Sequence, residues 1–208
     1  MRFIDSGLMS FFDALEMQEQ AVSHIAEGVQ KETVYLLEHP HVFTAGRIGS
    51  SENLLTNKDW EGNPIQVVST NRGGNVTYHG PGQLIGYPHL DLRQRGRDIN
   101  GYIRRLEETL ILTAVDFKVS AFRRPGLTGV WTQKGKLASI GVGVRRWVTM
   151  HGFALNVETD LRYFELIHPC GITDCRMISL SKLLGQKIRV SKVKMALKRR
   201  FKEVFGLD

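Results

Sequence analysis

The stretch GVWTQKGKLASIGVGVRRWVTMHGFALNV, residues 129–157, decides the fold class. It divides into three apolar segments, Gly129–Gln133, Lys136–Val144 and Trp147–Val157. Lys134-Gly135 is a natural hairpin turn between the first two, and the second break is equally short. Three strands in a row, with no room for a crossover helix, predict an antiparallel meander. Working outward, Thr33–Leu37, Val42–Thr44, Ile65–Ser69, Asn75–His79 and Leu84–Tyr87 are strand-like, and Lys118–Arg123 leads into the meander. Helical spacing marks three further segments. Phe11, Ala14, Leu15, Gln18, Ala21, Val22 and Ile25 share one face of a helix that Ser10 caps and that ends near Glu27. A second helix covers Ile99–Val115, with Ile103, Leu106, Leu110 and Ala114 on one face. A third covers Ser191–Phe205, carries Val193, Leu197, Phe201, Val204 and Phe205 as its apolar stripe, and stops at Gly206. Strands in runs with helices before and after predict an α+β fold, a mixed, largely antiparallel sheet flanked by helices. The apolar runs are evenly spread and no Pro/Ser-rich linker interrupts them, so one domain is expected over residues 1–208.

Composition narrows the function classes. The chain has 208 residues, 42% hydrophobic and 24% charged, which is globular and excludes disordered or fibrous classes. No segment approaches the ~18 uncharged apolar residues of a membrane span. No apolar run with a small-residue cleavage site follows Met1-Arg2, so secretion by that route is not expected. The two cysteines, Cys170 and Cys175, are too few for a disulfide scaffold, and a reducing cytoplasm is the expected compartment. Net charge is +7. Nine of the 28 basic and two of the 21 acidic residues lie from Ser181 onward, leaving 19 of each before it. The basicity is therefore one feature of the terminal helix. It suits an acidic partner, nucleic acid or anionic lipid, or else is a solvated face.

Three segments carry chemistry. Asn71-Arg72-Gly73-Gly74-Asn75-Val76-Thr77-Tyr78-His79-Gly80-Pro81-Gly82-Gln83 combines glycines with hydrogen-bonding side chains. Glycines let a backbone approach a ligand closely and leave N–H groups aimed at it. It is neither a Walker loop nor GxGxxG opening a helix, and a plain hairpin turn accounts for it about equally well. In His168-Pro169-Cys170-Gly171-Ile172, a cysteine on a bent backbone is placed for nucleophilic attack if a cation stands near; a small buried apolar residue is the plainer alternative. Lys136 opens the strand Leu137–Gly141, where it is either an exposed turn lysine or the cation of a site at the sheet edge. His39 and His41 alternate as if on one strand face, but no Cys or carboxylate stands at ligand spacing, so no metal is expected. Cys175, beside Asp174, reads as structural.

Taken in order, these segments resemble the lipoyl(octanoyl) transferases. The resemblance rests on His39-Pro40 through Arg47, Arg72-Gly73-Gly74, Thr77–Leu84, Tyr87–Leu92, Gly129-Val130-Trp131, Lys136–Gly141, His151–Asn156, Pro169-Cys170-Gly171-Ile172 and Ser179-Leu180. It implies a fold similar to the biotin/lipoate-protein ligase catalytic domain. It further implies transfer of an octanoyl or lipoyl group from acyl carrier protein to a lysine of lipoyl domains, those of 2-oxoacid dehydrogenase complexes and the glycine cleavage H protein. The implied catalytic residues are Cys170, as acyl-thioester, and Lys136. The implied substrate-binding residues are Arg72, Gly73, Gly74, Asn75, Val76, Thr77, Tyr78, His79, Ser139, Ile140, Gly141, Gly152, Phe153 and Ala154. No cofactor, metal, nucleic acid or membrane is implied, and a monomer is expected. The chain departs from the family pattern at Asp174–Ile178.

A thioester donor and a thiol nucleophile are nearly matched in energy, so this chemistry needs no ATP. Under that reading the basic tail forms part of a rim that attracts acidic carrier domains. Two alternatives stand beside it. An ATP-dependent lipoate or biotin ligase of the same fold would activate a free acid and need no cysteine. A nucleic-acid-binding module would use the tail, although Phe201 and Phe205 sit on its apolar stripe rather than as stacking platforms.

Overall fold

A computed structural model describes residues 1–48, 53–168 and 175–206. In chain order the strands are β1 (Arg2–Leu8), β2 (Thr33–Glu38), β3 (Val42–Ala45), β4 (Gln66–Ser69), β5 (Thr77–His79), β6 (Gln83–His89), β7 (Phe122–Arg124), β8 (Leu127–Thr132), β9 (Gly135–Arg145) and β10 (Val148–Asn156). The helices are α1 (Phe11–Ala26), α2 (Ile99–Asp116), α3 (Leu180–Leu184) and α4 (Val190–Phe205). None is long and apolar enough to cross a membrane.

A seven-stranded sheet runs β1-β2-β6-β10-β9-β8-β7, and a three-stranded sheet runs β4-β3-β5. Among the strands of the described residues, only β1–β2 and β3–β4 pair in parallel, with one isolated parallel bridge between Lys136 and Met177. The mixed, largely antiparallel sheet is therefore as expected, and the meander 129–157 forms β8, β9 and β10 in register Val130↔Ala138 and Gly152↔Gly141. Central strands β6 and β10 are buried along their whole length because helices cover both faces. Alternation sorts their neighbours. Val34, Leu36, Leu84 and Leu155 pack with α2 and α4. Tyr35, Leu37, Ile85, Tyr87 and Ala154 face α1.

Ser10 caps α1 as expected: its Oγ accepts from the Asp13 N–H at 3.1 Å. The cap fixes the start of the helix that carries Phe11 and Gln18, both buried. Ser10→Ala is expected to cost about 1 kcal/mol, a fall of about 2–4 °C in Tm for a chain of this size, read by thermal denaturation.

One strand was not foreseen in the sequence, and two local expectations are corrected. The first strand, β1, shows no clear alternation in sequence; it is an edge strand, broken in register where Gly7 turns left-handed (φ 63°). Residues 118–121 are not strand. Lys118 adopts φ 58° and donates to Val115 O, so this segment closes α2 and only Phe122–Arg124 pairs. His39 and His41 do not share a face. They lie in the β2–β3 connection, His39 buried and His41 exposed against Tyr163, ring centroids 4.4 Å apart.

Helix α4 docks by its predicted stripe, with Val193, Leu197, Phe201 and Phe205 in the core and Gly206 stopping it at φ 64°. Several of its charges are paired within the fold: Lys194 with Asp5 at 2.6 Å, and Arg199 and Arg200 with Asp116.

Candidate active site

A cavity of about 290 Å³ opens between the large sheet and the small one, with Phe11 of α1 in its wall. This is at the small end of the ~300–1,000 Å³ typical of ligand pockets. Its wall combines Arg72–Thr77 (without Gly73) and His79 with Lys136, Ser139, Ile140 and Gly141 of β9 and Gly152, Phe153 and Ala154 of β10. Thus every expected substrate-binding residue lines it except Gly73 and Tyr78. Tyr78 points the other way on β5, into the packing of Phe43, Phe164 and Tyr163. Gly73 instead donates its N–H to Val142 O at 2.8 Å and pins the loop to β9. Cys170 lies outside the described residues.

The loop is held by both sheets. Arg72 donates through Nη2 to Thr44 O at 2.6 Å and Thr44 Oγ1 at 2.9 Å, and through Nη1 to Gly73 O at 3.0 Å. Arg47 N–H and Nε–H donate to the carbonyls of Arg72 and Asn71. Close approach requires glycine at two positions. A Cβ on Gly46 would stand 2.2 Å from Gly74 O, and one on Gly141 would stand 2.9 Å from Gly73 O. Asn71 reaches the ring of His151, 2.6 Å away, and the His151 N–H donates to Gln18 Oε1 of α1 at 2.7 Å.

Lys136 is the buried alternative of its two sequence readings. It is 3% exposed, with Nζ 5.3 Å from the centre of the Trp131 ring. Its N–H donates to Arg176 O at 2.8 Å, and its carbonyl accepts from Ile178 N–H at 3.0 Å. So the strand segment just after residues 169–174 lies along Lys136. Room for the lysine stem comes from Gly129, at φ 124°, where a Cβ would stand 2.8 Å from Lys136 Cε. The buried carboxylate of Glu107 receives the Gly129 N–H at 3.1 Å and is itself paired with Arg104 and Arg123.

The histidines at the wall are kept neutral by burial. His79 is pushed down to about 3, by burial first and then by His39. His151 also falls to about 3, by burial and then the Arg72 guanidinium. His39 does not line the cavity; it is bonded to Met9 O at 2.7 Å and Tyr87 OH at 2.8 Å, and it falls to about 4 by burial.

Sequence reading missed Phe11, Ile48, Tyr87, Gly126–Thr128, Trp131 and His151 as cavity residues. Phe11 was assigned to an apolar stripe, and that stripe serves both core and cavity. Tyr87, Trp131 and His151 stood inside resembling segments, but nothing in their spacing told wall from core. No α4 residue is among those lining the cavity; α4 packs with α2 in the main core, and some of its charges are paired there.

The sequence pattern of the lipoyl protein ligase A/B catalytic domain matches residues 10–202. The octanoyltransferase of Syntrophotalea carbinolica is 56% identical over 194 residues, covering 93% of this chain and 89% of that one. That of Geobacter metallireducens is 53% identical over 201 residues, covering 97% and 92%. Among solved structures, lipoate-protein ligase A bound with ATP superposes with a TM-score of 0.77 at 16% identity, covering 100% of this chain and 86% of that one.

Proposed function

Because the chain belongs to the lipoyl protein ligase A/B catalytic domain family, we propose that it is an octanoyltransferase of lipoate biosynthesis. It takes octanoyl from acyl carrier protein and passes it to a lysine of lipoyl domains, those of 2-oxoacid dehydrogenase complexes and the glycine cleavage H protein, in the cytoplasm and as a monomer. The observation that carries the mechanism is Lys136. It is a buried lysine in the wall of an otherwise mainly apolar cavity, with its backbone paired to the segment that follows Pro169-Cys170-Gly171-Ile172.

The reaction then runs in two balanced steps. Lys136, as the amine, accepts the Cys170 thiol proton. The Cys170 sulfur attacks the thioester carbonyl; a new C–S bond forms, the old one breaks, and the Lys136 ammonium protonates the departing carrier thiolate. In the second step the acceptor lysine's amine attacks the acyl-enzyme. Its proton passes to Lys136 and on to the released Cys170 sulfur as the amide forms. Glycines of the 72–75 loop and of β9 and β10 leave backbone against the acyl group, and the apolar wall holds its chain.

Intact-mass measurement after incubation with octanoyl-acyl carrier protein, without ATP or acceptor, tests this. One added octanoyl group is expected, removed by hydroxylamine and absent in Cys170→Ala. No adduct, with octanoylation of a lipoyl domain appearing only from free octanoate with ATP and Mg²⁺, would identify a ligase instead.

A further inference from the structure

Behind the cavity wall runs an unbroken chain of buried hydrogen bonds that the reaction above does not use. Asn156 Nδ2 donates to Ile178 O at 3.1 Å. Gln83 Nε2 donates to Asn156 Oδ1 at 2.9 Å. Gln83 Oε1 lies 2.8 Å from His79 Nδ1, and His79 Nε2 lies 3.3 Å from Thr44 Oγ1. That oxygen receives Arg72 Nη2.

Every direction in the chain is forced. A carbonyl only accepts, so Ile178 O fixes the Asn156 amide; Asn156 then turns its oxygen to Gln83, and Gln83 turns its oxygen to His79. His79 must therefore carry its proton on Nδ1. Its Nε2 is the bare acceptor for the Thr44 hydroxyl, whose oxygen is left for the arginine, which only donates. Burial keeps that ring neutral, which the single-proton tautomer requires. Gln83 and Asn156 are each 1% exposed and are not among the residues lining the cavity. The chain ends at Ile178, whose own N–H pairs with Lys136 O.

We propose that Gln83 and Asn156 are positioning residues for octanoyl transfer: they tie the strand segment beside Lys136 to the Arg72 wall, so that the lysine and the acyl-binding loop keep one register. The proposal rests on the reading of Lys136 given above. Nothing in the chain touches substrate at Gln83 or Asn156, so binding is untouched while alignment is lost, and misplacement of about 1 Å costs on the order of 10²-fold in rate.

The test is steady-state kinetics of Gln83→Leu, Asn156→Leu, the double variant and Lys136→Ala, with octanoyl-acyl carrier protein and a lipoyl domain. Each single variant is expected to lose on the order of 10²-fold in kcat, with KM for the donor within about twofold. The double variant is expected to be no slower than the worse single one, because one broken link breaks the chain. Asn156→Asp, which keeps the acceptor and loses the donor, is expected to show the same kcat loss and serves if the leucine variants do not fold. A raised KM with unchanged kcat, multiplicative losses in the double variant, or a kcat loss no larger than the loss of folded protein would overturn the proposal. If Lys136→Ala transfers as fast as wild type, the reading of Lys136 falls and the relay with it. If Lys136→Ala is slow and Asn156→Leu and Asn156→Asp are normal, only the relay falls.

Discussion

Lys136→Ala is expected to lower kcat for octanoyl transfer by roughly 10²–10⁴-fold, the usual contribution of a positioned acid–base group. The amine lies against Trp131 in a wall where bulk water has little access, so solvent is a poor substitute. Lys136→Arg separates its two duties. A guanidinium keeps the positive charge but gives up no proton. Iodoacetamide is therefore expected to alkylate Cys170 in Lys136→Arg at a rate near wild type, while transfer to the lipoyl domain stays as slow as in Lys136→Ala. Full transfer by Lys136→Arg would show that charge alone is needed and would remove the proton shuttle from the mechanism.

The second large effect is on stability against acid. His39, His79, His89 and His151 are buried and neutral, with values pushed from an ordinary 6.5 to about 4, 3, 4 and 3, in each case chiefly by burial. The unfolded chain binds these protons near pH 6.5 and the folded chain does not, so stability is complete above that pH and drains away as pH falls toward 4. Each histidine contributes a slope of about 1 kcal/mol per pH unit within that window. Denaturant titrations at stepped pH are expected to show the midpoint falling steeply between about pH 6 and pH 4. His89→Gln, at a position away from the cavity wall, is expected to flatten that slope by about a quarter. A midpoint constant over this window would mean that the histidines take up protons in the folded state.

The large sheet was legible because its strongest signals are local. A short turn at Lys134-Gly135 and consecutive apolar segments leave few arrangements for residues 129–157. What stayed hidden depends on partners far away in sequence. β1 is a strand only because β2 offers it an edge. Lys118 is a different case: its bond back to Val115 is local, but no glycine marks the left-handed turn that ends the helix. In the site, Arg72, His79, Ser139 and Gly152 were legible through the resemblance, and the cavity gathers them. Tyr78 was not separable from its neighbours, since strand alternation decides which of Thr77, Tyr78 and His79 faces in. The tail's charge was legible, but its placement was not. The stripe that docks α4 fits either face of a sheet, and only packing on α2 settles which.

The 71–75 loop has one more consequence. It is where the two sheets meet, fastened by Arg72 to β3 and by Gly73 to β9. The junction is therefore a gasket as well as a wall. Under the proposed two-step reaction, an acyl thioester held beneath it would hydrolyse only as fast as water leaks past. At Gly46 and Gly141 a single carbon would wedge the joint open, so under that reaction these two glycines would govern how long the acylated enzyme waits for its acceptor.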